Sequence, residues 1–215
     1  MLDWKNKKLL VLGGTSASLD LVKTAKKMGV YTIVTDDRDY GVAKDMADEA
    51  IKISTADIPA LVALVNSRKI DGVFSGPGEF NIKNAMKVAQ LAGLPFYATE
   101  EQWNVCSNKD TFKKLCRDFS VPCVFEYRTD NGLDDELLSR IKYPVIVKPV
   151  DGASSRGVGV CYSEDQLRKN YQKAMENSAR GKVIIEQYID NGGIVTSVRY
   201  IACKGELYLS LTGDT

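Results

Sequence analysis

The feature that most restricts this chain's fold is the rhythm of its first hundred residues. Short apolar runs alternate there with amphipathic stretches. Leu9-Leu10-Val11-Leu12 is an unbroken apolar run ending at Gly13-Gly14. A run without polar alternation suits a parallel strand buried on both faces. A helix follows with Leu21, Val22, Ala25 and Met28 on one stripe, and Gly29 stops it as a C′ glycine does. Tyr31-Thr32-Ile33-Val34 is a second strand, leading into Asp36-Asp37. Asp57 is placed to cap a helix carrying Leu61, Val62, Leu64 and Val65. Ile70 to Ser75 reads as a third strand broken by Gly76-Pro77-Gly78. Ala85, Val88, Ala89 and Ala92 then recur at helical spacing before Gly93. Strands alternating with helices imply right-handed crossovers, so a doubly wound parallel sheet is expected over residues 1–105.

From residue 106 to 215 the pattern changes. Ser107 reads as a helix N-cap with Asp110 at N3, and Phe112, Leu115, Cys116 and Phe119 line one helical face. Strands are expected at Pro122–Phe125, Pro144–Lys148, Val158–Tyr162, Val183–Gln187, Val195–Ala202 and Glu206–Leu211. Helices are expected near Asp134–Ile141 and Glu164–Met175. Strands outnumber helices, which predicts an α+β unit with an antiparallel sheet. The sequence stops soon after its last strand with no closing helix, so the chain reads as a fragment of a longer protein.

Composition narrows the chemistry. With no histidine among 215 residues, Ser-His and Cys-His pairs and histidine-ligated zinc are absent. Chemistry must run on Lys, Arg, carboxylates and backbone N–H groups, with or without a bound metal. Lys+Arg is 29 against Asp+Glu 28, and no basic stripe stands out, which argues against a nucleic-acid binder. Five cysteines without a CxxC pair fit free thiols in a reducing compartment. The charged start and the lack of any membrane-length apolar run place the protein in the cytoplasm with no membrane partner.

Three segments carry chemical potential. The turn Gly13-Gly14-Thr15-Ser16-Ala17-Ser18 lacks the second and third glycines of GxGxxG. It reads either as a Ser- or Thr-capped strand-to-helix turn or as a small-anion site on a helix N-terminus. NAD binding is disfavoured. Gly14 and Thr15 are therefore substrate candidates, together with Glu79 at the end of the third strand. Glu79 also suits a plain helix start. The strongest segment is Tyr143-Pro144-Val145-Ile146-Val147-Lys148-Pro149 with the loop after it. Lys148 shares a strand face with Ile146, and a lysine on a strand that wants burial needs an anionic partner. The loop Gly152–Gly159 contains Ser154, Ser155, Arg156, Gly157 and Val158. It is small enough to wrap backbone N–H groups around phosphate oxygens, with Arg156 adding a charge-assisted contact. It is not a Walker A loop, because the lysine precedes the glycines. Further on, Val183-Ile184-Ile185 leads into Glu186-Gln187-Tyr188-Ile189, a linker that can present backbone groups to a base edge.

In order and spacing these segments resemble the ATP-grasp superfamily, which includes biotin carboxylase, carbamoyl phosphate synthase and D-alanine–D-alanine ligase. The resemblance implies a preceding α/β domain (1–105) and the first part of an ATP-grasp domain (106–215), with its lid and phosphate flap at about 124–184 and truncated at its C-terminal end. It implies that Lys109 and Lys148 contact ATP phosphates, with Lys148 catalytic, and that Gly152–Gly159 is the flap. It implies that Glu186, Gln187, Tyr188 and Ile189 hold adenine. Only Asp190 stands where the family places its ribose-binding acid, and its spacing is off. The family's Glu-x-Asn metal ligands are missing after Glu186, so the ligands for Mg2+ are expected beyond Thr215 and none within this chain. The implied activity is ATP-dependent ligation of a small-molecule carboxylate or bicarbonate to an amine or similar nucleophile, with a homodimer compatible. The alternatives are a non-catalytic nucleotide-binding module and an NAD(P)-binding protein.

Overall fold

The computed structural model describes residues 4–130, 132–152, 155–194 and 196–214. They divide into two units between Cys106 and Ser107. In the first, β1 (Lys8–Leu12), β2 (Tyr31–Thr35), β3 (Glu49–Ile51) and β4 (Gly72–Ser75) form one parallel sheet in the order β3-β2-β1-β4. Successive side chains of a strand point to opposite faces. Leu10, Leu12 and Ile33 accordingly pack with Leu61 and Val65 of α3 (Ile58–Arg68) and with Val88 and Ala89 of α4 (Glu79–Leu91). Val11 and Val34 pack on the other face with Val22 of α1 (Leu19–Lys27) and Ala43 of α2 (Val42–Met46). The continuous apolar strands are the consequence of that two-sided burial, as expected for a doubly wound sheet.

Local signals acted where they stood. Asp57 accepts the Ala60 N–H at 3.1 Å and caps α3, and Gly29 takes a left-handed φ of 81° after α1. Met28 lies past the end of α1 and is exposed, off the buried stripe. Two elements have no counterpart in the sequence reading, α2 and the edge strand β3. Each is too short to show a period. A further helix, α5 (Glu100–Ser107), begins with two glutamates in its first turn.

The second unit contains α6 (Lys109–Asp118), β5 (Glu126–Tyr127), α7 (Asp135–Arg140), β6 (Val145–Pro149), β7 (Gly159–Cys161), α8 (Glu164–Glu176), β8 (Val183–Gln187), β9 (Thr196–Cys203) and β10 (Glu206–Asp214). The order β5-β8-β6-β7 is antiparallel throughout, and β9 and β10 form a separate two-stranded ribbon. The α+β expectation holds, with three corrections. Ser107 is the last residue of α5, and the cap of α6 is Asn108, whose side-chain oxygen accepts the Asp110 and Thr111 N–H groups at 2.9 and 3.1 Å. Phe112, Leu115 and Phe119 are exposed within this structure, Phe119 at 76%. The segment Pro122–Phe125 is not a strand; pairing with β8 begins only at Glu126.

Candidate functional site

Register decides what the second unit's sheet presents. Ile146 pairs with Glu186, Lys148 with Ile184, and Glu126 with Glu186. Those side chains share one face. The alternate residues Val145, Val147, Val183, Ile185 and Tyr127 form the core with Leu137 of α7 and Leu167 and Ala174 of α8. Lys148 is thus set, by strand alternation alone, on the face away from that core.

Lys148 has an anionic partner in its own chain. Its Nζ lies 2.5 Å from Glu186 Oε2, and the Glu186 side chain is only 5% exposed. Lys113 of α6 stands in ion-pair contact with Glu186 Oε1 and donates to Glu126 Oε2 at 2.9 Å. A buried carboxylate is costly unless paired, and here it lies between two ammoniums. Burial alone would push the Glu186 carboxyl up, but Lys113 and Lys148 together hold it below the usual carboxylate range. Burial would likewise lower the Lys113 ammonium, yet Glu186 and Glu126 hold it above its ordinary value. The four groups balance in charge. Lys113 and Glu126 were not among the residues expected here. Their only sequence signals are a lysine one turn after Lys109 and a single acid between Phe125 and Tyr127.

Lys109 stands at the flap. Its N–H donates to the Val150 carbonyl at 3.0 Å and its Nζ to the Gly152 carbonyl at 2.9 Å. The flap is tied at its base, where Asp151 accepts Ser178 Oγ at 2.8 Å and the Arg180 N–H at 3.0 Å. Gly157 takes φ 71°, and a Cβ there would stand 2.8 Å from Asn177 Cβ, so this position requires glycine. Ser155 and Arg156 are exposed and Val158 is half-buried. Ser154, with Ala153, lies outside the described residues.

At the end of β8 the Gln187 N–H donates to the Phe125 carbonyl at 3.0 Å, and in the linker after it the Tyr188 N–H donates to the Pro144 carbonyl at 3.1 Å. Ile189 is exposed. Asp190 accepts the Gly192 N–H at 3.0 Å.

The remaining expected residues belong to the first unit. Gly14 is buried, and its N–H donates to Asp36 Oδ2 at 2.8 Å. That N–H therefore faces a carboxylate of its own chain. Asp36 also takes a two-pronged contact from Arg38, Nε to Oδ1 and Nη2 to Oδ2, each 2.8 Å. Arg38 first, and the Gly14 N–H after it, hold the Asp36 carboxyl well below the usual range despite its burial. Neither Thr15 nor Ser18 caps the following turns through its side chain. Glu79 is exposed in the first turn of α4.

The chain resembles ATP-grasp enzymes in fold and in relatives. A family model described as "D-ala D-ala ligase C-terminus" matches residues 123–200. The chain is 27% identical over 213 residues to a formate-dependent phosphoribosylglycinamide formyltransferase of Sulfurisphaera tokodaii, covering 96% of this chain and 53% of that protein. Its fold matches the biotin carboxylase–β-γ-ATP complex from Campylobacter jejuni with a TM-score of 0.78 and 25% identity, covering 94% of this chain and 50% of the other. N5-carboxyaminoimidazole ribonucleotide synthetase from Thermotoga maritima matches in fold at a TM-score of 0.71 and 20% identity, over 97% and 53% of the two chains. The chain spans about half the length of the curated relatives it matches. No helix among the described residues is long and apolar enough to cross a membrane.

Proposed function

We propose that this chain is the ATP-binding portion of an ATP-grasp ligase. The enzyme activates a small-molecule carboxylate or bicarbonate with ATP, and an amine or similar nucleophile then displaces phosphate from the acyl phosphate. One observation carries the reading: a glycine-rich flap has one lysine on the strand that leads into it and a second lysine bonded to its first carbonyl. Lys148 lies on β6 just before the flap, and Lys109 Nζ donates to the Gly152 carbonyl within it. Ammoniums fixed there suit phosphate oxygens, and preorganised charge is the main means by which phosphoryl transfer is stabilised. Glu186 holds Lys148 in position and, with Gln187, Tyr188 and Ile189, forms the proposed adenine linker. The flap residues Ser155, Arg156, Gly157, Val158 and Gly159 cover the phosphates.

Residues 1–105 are proposed as the preceding domain, with Gly14, Thr15 and Glu79 toward substrate. The Gly14–Asp36 bond means an anion there would have to compete with a carboxylate. Residues 106–215 are proposed as the first part of the ATP-grasp domain. Mg2+, when bound with ATP, shields phosphate charge. Among the described residues there is no group of three or more His, Cys, Asp or Glu side chains that would hold a metal ion. A homodimer and a cytoplasmic location are compatible with this reading.

Calorimetric titration with a non-hydrolysable ATP analogue plus Mg2+, with NADH in parallel, tests the proposal. Saturable analogue binding is expected. Lys148→Ala should weaken it about 10- to 100-fold, the equivalent of one hydrogen bond to a charged group. Equal affinity in the variant removes Lys148 from the phosphates, and binding of NADH alone overturns the reading.

A further inference from the structure

Helix α6 ends in a turn that folds the chain back on itself. Ser120 takes a left-handed φ of 57°. Its N–H donates to the Arg117 carbonyl at 3.0 Å, and the Val121 N–H donates to the Cys116 carbonyl at 2.8 Å. This pair of bonds defines a Schellman ending, in which the residue past the turn lies against the last turn of the helix. Pro122 prevents the helix from resuming. Cys123 follows, its thiol directed at the Val121 carbonyl at 3.6 Å. The Val121 N–H is itself held by the Cys116 carbonyl, so the turn brings Cys123 back beside the end of α6, where its thiol neighbours that of Cys116. Both cysteines are free, Cys123 exposed and Cys116 partly covered. Cys161, by contrast, is buried in the core of the second unit.

We propose that Cys116 and Cys123 are a thiol modification site that closes a reversible intramolecular disulfide when hydrogen peroxide is the oxidant. The exposed Cys123 thiolate attacks a peroxide oxygen and the O–O bond breaks. The sulfur becomes a sulfenic acid, and the departing hydroxide takes a proton to leave as water. Cys116 then attacks that sulfur. The S–S bond forms, the S–O bond breaks, and the leaving oxygen takes the Cys116 proton as a second water. The two thiols lose two hydrogens and two electrons, and the peroxide gains them. Burial first, and the neighbouring Cys123 second, push the Cys116 thiol up. It therefore stays protonated until the sulfenic sulfur is presented beside it. A dithiol reductant reverses the bond.

The tether would join the end of α6 to the entry of β5. Lys113 and Glu126 lie on those two elements and form an ion pair, so the bond would fix one side of that cluster. The proposal does not depend on nucleotide binding.

The purified chain is treated with hydrogen peroxide, its remaining thiols are alkylated, and it is digested with trypsin. Cleavage after Lys114, Arg117 and Arg128 separates the two cysteines into peptides 115–117 and 118–128. The expected result is those two peptides joined, with the joined species lost after dithiothreitol and absent from Cys123→Ser. Peroxide should also raise the melting temperature of the wild type but not that of Cys123→Ser. Full alkylation of both peptides after peroxide would overturn the proposal. So would sulfinic acid at Cys123 with Cys116 still alkylatable, or a cross-link from either residue to Cys106 or Cys203 in place of the joined pair.

Discussion

Replacing Glu186 with glutamine removes the charge at the centre of the second unit's ion cluster while keeping nearly the same shape. Lys148 Nζ lies 2.5 Å from this carboxylate, and Lys113 contacts its other oxygen. At an effective dielectric of about 20, one such contact is worth about 7 kcal/mol of gross attraction. Desolvation of each ion returns several kcal/mol of that. Removing one partner of a buried pair typically costs about 3–5 kcal/mol, because the remaining charge is left uncompensated. Here Lys113 keeps Glu126, and Lys148 is 22% exposed and can reach water. The expected loss for Glu186→Gln is therefore at the lower end, about 3 kcal/mol. Hydrogen exchange of the β6 and β8 amides reads this directly, as a rise of about 100-fold or more in exchange rate at neutral pH. The folded Glu186 carboxyl lies below its ordinary value. Its contribution is thus present above the unfolded pKa of about 4.3 and is lost as pH falls through the lower folded value. The difference between wild type and variant should shrink toward zero in acid. A loss below about 1 kcal/mol at pH 7, or a difference independent of pH, would refute the cluster's role.

Two further tests are separate from the cluster. Asn108→Ala should cost about 1 kcal/mol by removing the acceptor of two N–H groups, while Ser107→Ala should be close to neutral. Urea titration of both distinguishes the observed cap from the neighbouring residue. Asp36→Asn should cost about 1–2 kcal/mol, because the amide offers one acceptor oxygen where the carboxylate offers two, so the buried Gly14 N–H and the Arg38 contacts cannot all be kept. Thermal melts should show that penalty at neutral pH. It should fade as pH falls through the depressed Asp36 value, where the wild type is protonated too.

The sequence alone determined what depends on neighbours along the chain. Leu9–Leu12 and Tyr31–Val34 are apolar on both faces, and that pattern requires burial between two helix layers whatever lies further on. Gly29 and Asp57 stop and start helices through bonds that reach only a few residues. The glycines of 152–159 mark a close-fitting loop for the same local reason. The glycine and linker motifs also carried the family resemblance, because their order is a property of the chain. The ion cluster was not legible. Lys148 visibly needed an anion, but Glu186 becomes that anion only once β6 and β8 pair in this register and α6 brings Lys113 over them. The Gly14 N–H looked available to a ligand until β1 and β2 stood side by side and Asp36 reached it. Ser107 and Asn108 are both good caps, and the extent of α5 chose between them. Apolar periodicity is written in sequence because burial of a face needs only a repeat. The pairing of a charge needs a second group at one point in space, and only the tertiary structure supplies it.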